Sequence, residues 1–406
     1  MNLEFPLCRQ PLHEVPIRQA LATCVSVLTD RVPASDLVAV VLTGSFARGE
    51  GTVLPLGDGL KILGDFEFFV VLARAPNDRL RRMMPAWARE ARARLAAGGV
   101  RVDVEFGPLG LPFLRRRARP SIFVYDLRHH GKVLWGDSDL LELIPPLGAE
   151  AIPREDAVYL LFNRLIEQLA TWERIGGLRG DGLIDAAYQR LKLTLDLAGS
   201  ALAFAGIHTA LYRERPAAFR RLVAETPSLE ASLPSGFLED LALAGRAKAD
   251  PTGYFERLGA AAALEEQRTW LRRRMLAAIP AVAAVLRWEL EQLLGRRAEL
   301  PALLARWART PSFTQRAWDW AKLVLNPVPA PLPLSHVRAA RLFWRSTPRA
   351  LLYLAGSRAY FALDRGGPAL DDVWRLLPLP AAVRSRDAAV QRRSIVTLWQ
   401  WGIRNR

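Results

Sequence analysis

Along the first 150 residues the hydrophobic pattern switches between helical and strand periods. Residues 13 to 31, with Pro16-Ile-Arg-Gln-Ala-Leu-Ala-Thr-Cys-Val-Ser-Val-Leu28 at their centre, read as an amphipathic helix packed on a sheet. Leu37-Val-Ala-Val-Val-Leu-Thr43 is apolar and rich in β-branched residues, a buried strand that ends at Gly44-Ser45. A second strand enters at Gly64-Asp65-Phe66-Glu67-Phe68-Phe69-Val70-Val71-Leu72. Asn77-Asp78 caps a helix to about Ala97, with arginines outside and Leu80, Met83, Met84, Trp87 and Leu95 available for burial. Gly98-Gly99 ends it, and the strand Val100-Arg-Val-Asp103-Val-Glu105-Phe106 begins at once. Beyond a Pro- and Arg-rich turn, Ile122-Phe-Val-Tyr-Asp-Leu127 and Gly131-Lys-Val-Leu-Trp-Gly-Asp137 read as a last strand and the exit from the sheet, with Pro145-Pro146 as a boundary.

From about residue 150 the chain turns to Ala, Leu, Arg and Glu with helical periodicity. Helices are predicted over 154–176, 182–206, 213–226, 236–248, 254–296, 301–308 and 312–325, the longest broken or kinked at Pro280. Pro327, Pro329, Pro331 and Pro333 form a stiff extended segment, followed by a helical pattern from Ser335 to about Leu363 and a tail carrying Trp374, Trp399 and Trp401. The expected class is α+β: a small mixed-sheet domain over 1–146, a mostly helical region over 150–326, and a helical extension over 335–406 after the Pro-rich linker.

The chemistry concentrates between residues 37 and 70. Glycine at 44 lets the backbone approach a ligand closely, and exposed amides at such a turn can cradle phosphate oxygens. Period two places Asp65 and Glu67 on one strand face, where two carboxylates repel unless a cation sits between them. Oxygen-rich sites of this kind suit Mg²⁺. A phosphate cradle beside a Mg²⁺ platform is equipment for nucleotidyl transfer.

Gly44-Ser-Phe-Ala-Arg-Gly-Glu50 after an apolar strand, with Asp65-x-Glu67 opening the next, resembles the polymerase-β-like nucleotidyltransferase superfamily. It is most similar to the branch holding minimal and aminoglycoside nucleotidyltransferases. The resemblance covers the first third of the chain well. It implies that Gly44 and Ser45 hold a nucleoside triphosphate, and that Asp65 and Glu67 hold two catalytic Mg²⁺ ions with a third carboxylate from a later strand. Asp103, set between valines, is preferred for that role, with Glu105 as the alternate. The implied reaction moves an NMP from an NTP, ATP by family habit, to a hydroxyl with release of pyrophosphate. One departure is the long spacer from Phe46 to Gly64, read as an inserted turn or short hairpin. The alternative is a nucleotide-binding regulatory protein that kept the fold without turnover.

Arg48 is a candidate for neutralising triphosphate charge, against pairing with Glu50 or solvent. In the helical half, Tyr188, Lys192 and Asp196 lie four apart on one helix face. Either Lys192 reaches toward phosphate, oriented by Asp196 or Asn163, or Lys192 and Asp196 simply pair. The second Gly-Ser, Gly356-Ser357, sits in helical surroundings and is not read as a duplicated site. His129 and His130 read as a surface pair.

The net charge of +15 suits polyanionic partners and argues against a cationic aminoglycoside as acceptor, although arginine codon bias also inflates it. A small molecule, a protein hydroxyl and an RNA end remain compatible acceptors. Cys8 and Cys24 are too few for a disulfide framework. Met1-Asn-Leu-Glu-Phe-Pro6 lacks a signal-peptide pattern, and the apolar runs 197–207 and 277–286 are too short to span a bilayer. A soluble cytoplasmic protein with no membrane partner is expected.

Overall fold

The computed structural model describes residues 4–57, 59–259, 263–326, 328–365, 371–383 and 385–404, which leaves Pro327 of the Pro-rich segment outside the described residues. The chain packs as two compact units, one of 1–156, 202–219 and 239–260, the other of 157–201, 220–238 and 261–406. The first unit thus runs past Pro145-Pro146 and takes in two stretches from the helical region.

The first unit contains α1 (Glu14–Arg31), β1 (Leu37–Thr43), the single turn α2 (Gly44–Ala47), β2 (Thr52–Leu56), β3 (Gly59–Leu72), α3 (Asp78–Ala97), β4 (Val100–Gly110), α4 (Leu111–Arg116), α5 (Ile122–His130) and β5 (Lys132–Gly136). The five strands form one mixed sheet in the order β2-β3-β1-β5, with β4 on the other side of β3. The fold class is therefore α+β, as expected. β3, with 14 residues, is the spine. Its first half pairs antiparallel with β2 from Leu63↔Thr52 to Gly59↔Leu56, and its second half with β1 from Glu67↔Thr43 to Leu72↔Leu37. β4 runs parallel along the opposite edge, with Asp65↔Asp103 and Glu67↔Glu105 in register. The long spacer after Phe46 is the β2–β3 hairpin.

Burial alternates along β3. Phe66, Phe68 and Val70 enter the core under α1 and α3, beside Leu21, Leu28, Trp87 and Ala91. Phe69 and Val71 point the other way, against Leu114, Val124 and Leu127 of α4 and α5. Asp65 and Glu67 share that second parity and are half-buried rather than buried. Asn77 caps α3 by accepting from the Leu80 amide at 2.9 Å.

Residues 122–127 are not a strand. Ser121 Oγ accepts from the Val124 amide at 3.1 Å and starts α5, which buries Val124 and Leu127 one helical turn apart. The cap and the i,i+3 burial override the strand preference of Ile, Val and Tyr. Lys132–Gly136 is the last strand, antiparallel to β1.

α6 (Arg154–Arg174) and α7 (Asp181–Phe204) follow. The segment predicted as a helix over 254–296, broken or kinked at Pro280, is three helices, Thr252–Gly259, Leu264–Leu276 and Ile279–Leu294, so one of its two breaks falls where expected. Pro280 sits in the first turn of the last, where its missing N–H costs nothing. Within the second unit, Asn163 Oδ1 accepts from Tyr353 Oη at 2.8 Å and Trp399 Nε1 at 2.9 Å. Phe162 stacks on Tyr353 at 5.1 Å between centroids. Gly356 lies inside the helix Pro348–Phe361, and a Cβ there would come within 2.7 Å of Ile166 Cγ1. The second Gly-Ser is a close helix contact. Among the described residues no helix is long and apolar enough to cross a membrane.

Candidate active site

β1 ends opposite the middle of β3, and the chain must leave the sheet there. Thr43 pairs with Glu67, and its Oγ1 donates to the Glu67 carbonyl at 3.3 Å. Gly44 then turns at φ 71°, a left-handed conformation that favours glycine. A Cβ at 44 would meet Glu67 Oε2 at 2.5 Å, so the missing side chain is space used by that carboxylate. Ser45 follows, half-buried, and Phe46 anchors the turn edge-on to Phe66 at 4.8 Å.

Three carboxylates converge beside this turn. Oxygens of Asp65, Glu67 and Glu105 all lie within 4.8 Å of one another, the first two half-buried and Glu105 exposed. Asp65 and Glu67 are neighbours on one face of β3, and register brings Glu105 beside Glu67 from β4. Like charges at this spacing favour a bound cation, and an all-oxygen donor set with an open side fits Mg²⁺.

Asp103, the preferred third carboxylate from the sequence, is not in this group. Its Oδ1 accepts from Arg92 Nη1 of α3 at 2.9 Å, and its side chain is 72% exposed. Asp103 is one pleat earlier on β4, where the shorter Asp side chain meets an arginine from α3. The alternate, Glu105, occupies the converging position.

Arg48 is built into a buried polar network of the first unit. Its Nη1 pairs with Asp126 Oδ2 of α5 at 3.2 Å, and its guanidinium lies 5.4 Å from the Tyr212 ring centroid. His208 Nε2 lies 3.0 Å from Asp126 Oδ1. Burial opposes the charged form of Arg48, but Tyr212, Asp126, Glu50 and Glu67 outweigh it and raise its pKa. Burial likewise opposes ionised Asp126, while the His208 hydrogen bond and the charges of Arg48 and Arg215 hold its carboxyl below the ordinary range. Glu50 does not pair with Arg48 as the sequence allowed; its oxygens accept from the Tyr212 and Arg213 amides at 2.8 and 3.0 Å. Lys248 Nζ donates to the Glu50 carbonyl and to Thr52 Oγ1, both at 2.7 Å. The segments around 208–215 and 248 therefore brace the turn that follows Gly44-Ser45.

Lys192 is half-buried on α7, in the second unit. On the same helix Asp196 is buried and pairs with Arg164 Nε at 2.6 Å. Asn163, which the sequence offered as an orienting group for Lys192, is committed to Tyr353 and Trp399.

The sequence reading missed an aromatic wall on the carboxylate face. Phe69, two residues beyond Glu67, packs on Phe123 at 5.1 Å, and Phe123 in turn on Phe113 at 6.3 Å. Phe123 remains 39% exposed. Treating 122–127 as a strand hid it.

Comparison with protein-family models gives no match, and neither does comparison with curated proteins. Among solved structures, the chain is similar to spectinomycin adenyltransferase AAD(9) from Enterococcus faecialis, solved with ATP and spectinomycin. The two share 13% identity over 63% of this chain and 98% of that one, with a TM-score of 0.36.

Proposed function

We propose that the protein is a Mg²⁺-dependent nucleotidyltransferase that moves an NMP from a nucleoside triphosphate to a hydroxyl acceptor and releases pyrophosphate. The observation that carries this is the convergence of Asp65, Glu67 and Glu105 at a glycine turn whose missing Cβ makes room for Glu67.

Asp65, Glu67 and Glu105 are the residues that would hold Mg²⁺. Bound there, Mg²⁺ would supply neutralisation of the phosphate charge that builds as the acceptor hydroxyl attacks. The Ser45 hydroxyl and the amides of the turn hold the leaving diphosphate, so that orientation contributes much of the rate. Glu105, the exposed carboxylate of the three, takes the acceptor proton in this reading. Arg48 acts on this site as a positioning residue through Asp126 and Tyr212, and its charge steadies Glu67. Phe123 offers an apolar face for the base. ATP is the donor to test first.

The test is pyrophosphate release from each NTP with Mg²⁺ and a panel of hydroxyl acceptors, in wild type and Asp65→Ala. Release by wild type alone supports the enzyme. Nucleotide binding without release from any NTP would instead support a binding protein that kept the fold.

A further inference from the structure

We propose that residues 296–349 of the second unit form a binding surface for single-stranded nucleic acid. This region carries ten arginines and lysines against Glu299 and Asp319, a net charge of +8 out of the chain's +15. Eight of those cations are exposed: Arg296, Arg297, Arg306, Arg309, Lys322, Arg341, Arg345 and Arg349. Codon bias explains neither the near absence of acids here nor what accompanies the cations.

That accompaniment is aromatic. Phe313, Trp318 and Trp344 are 56%, 63% and 71% exposed, although side chains of this size are ordinarily well covered. Phe313, Phe343 and Trp344 form one cluster, with centroids 5.3 to 6.2 Å apart. Lys322 lies 5.0 Å over the Trp318 ring.

The surface is held in place from below. Arg316 donates to the Pro311 carbonyl at 3.1 Å and to the Trp344 carbonyl at 2.9 Å, joining the Phe313 segment to the Trp344 segment. Trp320 Nε1 donates to the Ser346 carbonyl at 2.9 Å, and Ser346 Oγ donates to the Ala308 carbonyl. Arg296, Arg306, Arg309 and Thr310, with Leu303 and three alanines, line a recess of about 560 Å³ in the same stretch of chain.

A partner that matches both halves must be a polyanion with flat apolar faces at intervals along it. Single-stranded nucleic acid has that chemistry: phosphates for the arginines, and unpaired bases to stack on Trp344, Phe313 and Trp318. A purely apolar protein partner would bury uncompensated guanidinium groups, and a folded duplex keeps its base faces inside the stack. The surface belongs to the second unit and is independent of the carboxylate chemistry of the first.

The test is fluorescence anisotropy of the full chain with a labelled 12-nucleotide oligouridine, the deoxy equivalent, and a duplex of equal length, over a salt series. The expected result is binding of the single strands, tighter than the duplex, with log K falling linearly in log salt by about 0.7 per phosphate contact. The better-bound sugar identifies the natural strand. Trp344→Ala with Phe313→Ala should weaken binding at least about tenfold. Arg306→Ala with Arg309→Ala should flatten the salt slope by about one to two phosphate contacts. All four positions are exposed, so unchanged circular dichroism and melting would show that the variants fold. No binding of either single strand at low salt would overturn the proposal. So would a duplex bound as tightly as the single strands, or aromatic variants that bind like wild type.

Discussion

Gly44 and Glu67 occupy one space: a Cβ on the glycine would lie 2.5 Å from the glutamate Oε2. The turn at the end of β1 and the carboxylate on β3 thus constrain each other, with the Thr43–Glu67 pair fixing the register between them. Gly44→Ala puts a methyl group into that carboxylate and forces a non-glycine residue to φ 71°. The backbone strain alone should cost about 1–3 kcal/mol. Thermal unfolding should report that loss, and pyrophosphate release should fall at least about tenfold as Glu67 is displaced.

Glu105 and Asp103 separate by position: one joins the carboxylate cluster and the other pairs with Arg92. Glu105→Gln removes a converging carboxylate and should take Mg²⁺-dependent turnover to background with the fold intact. Asp103→Asn breaks an exposed pair with Arg92 and should change stability by no more than about 1 kcal/mol and leave turnover near wild type. Turnover lost in Asp103→Asn and kept in Glu105→Gln would reverse the assignment.

Arg48→Met should destabilise the first unit by about 2–4 kcal/mol, because it removes the ion-pair partner of Asp126, leaving His208 as its hydrogen-bond partner, and opens the contact with Tyr212. Urea unfolding measures this directly. Double replacement with Asp126→Leu should cost less than the two single losses combined, since both changes remove the same ion pair.

Glu289 sets a pH signature in the second unit. Its carboxyl is fully buried and, among the described residues, accepts from Ser200 Oγ alone, at 2.6 Å; burial pushes its pKa from 4.5 up to about 8. Between those values the folded chain holds a proton that the unfolded chain has released. Stability from this group is therefore full below pH 4.5 and declines as pH rises through about 8. The limiting slope is about 1.4 kcal/mol per pH unit. Glu289→Gln, which keeps a partner for Ser200, should remove that slope between pH 6 and 8 in unfolding titrations.

The strands of the site were legible because their signals are local: the β-branched run into Gly44-Ser45, and acids at i and i+2 opening the next strand. Which of Asp103 and Glu105 joins the cluster was not, since period two puts both on one face and each lies beside an acid of β3; only the pairing of Asp103 with Arg92 and the longer side chain of Glu105 separate them. Arg48 was ambiguous for a related reason. Its partners Asp126 and Tyr212 lie 78 and 164 positions away, and no local pattern announces them. At 122–127 the Ser121 cap and burial of Val124 and Leu127 outweighed the strand propensity of Ile122, Val124 and Tyr125. The break or kink expected at Pro280 is there: one helix ends at Leu276 and the next starts at Ile279, with Pro280 in its first turn.

Binding of Mn²⁺ as a Mg²⁺ surrogate, followed by electron paramagnetic resonance with and without a non-hydrolysable ATP analogue, tests the central claim most directly. Wild type should bind the ion more tightly with the analogue present, and Asp65→Asn, Glu67→Gln and Glu105→Gln should each weaken that binding at least about tenfold. Wild-type affinity retained in all three variants would contradict it.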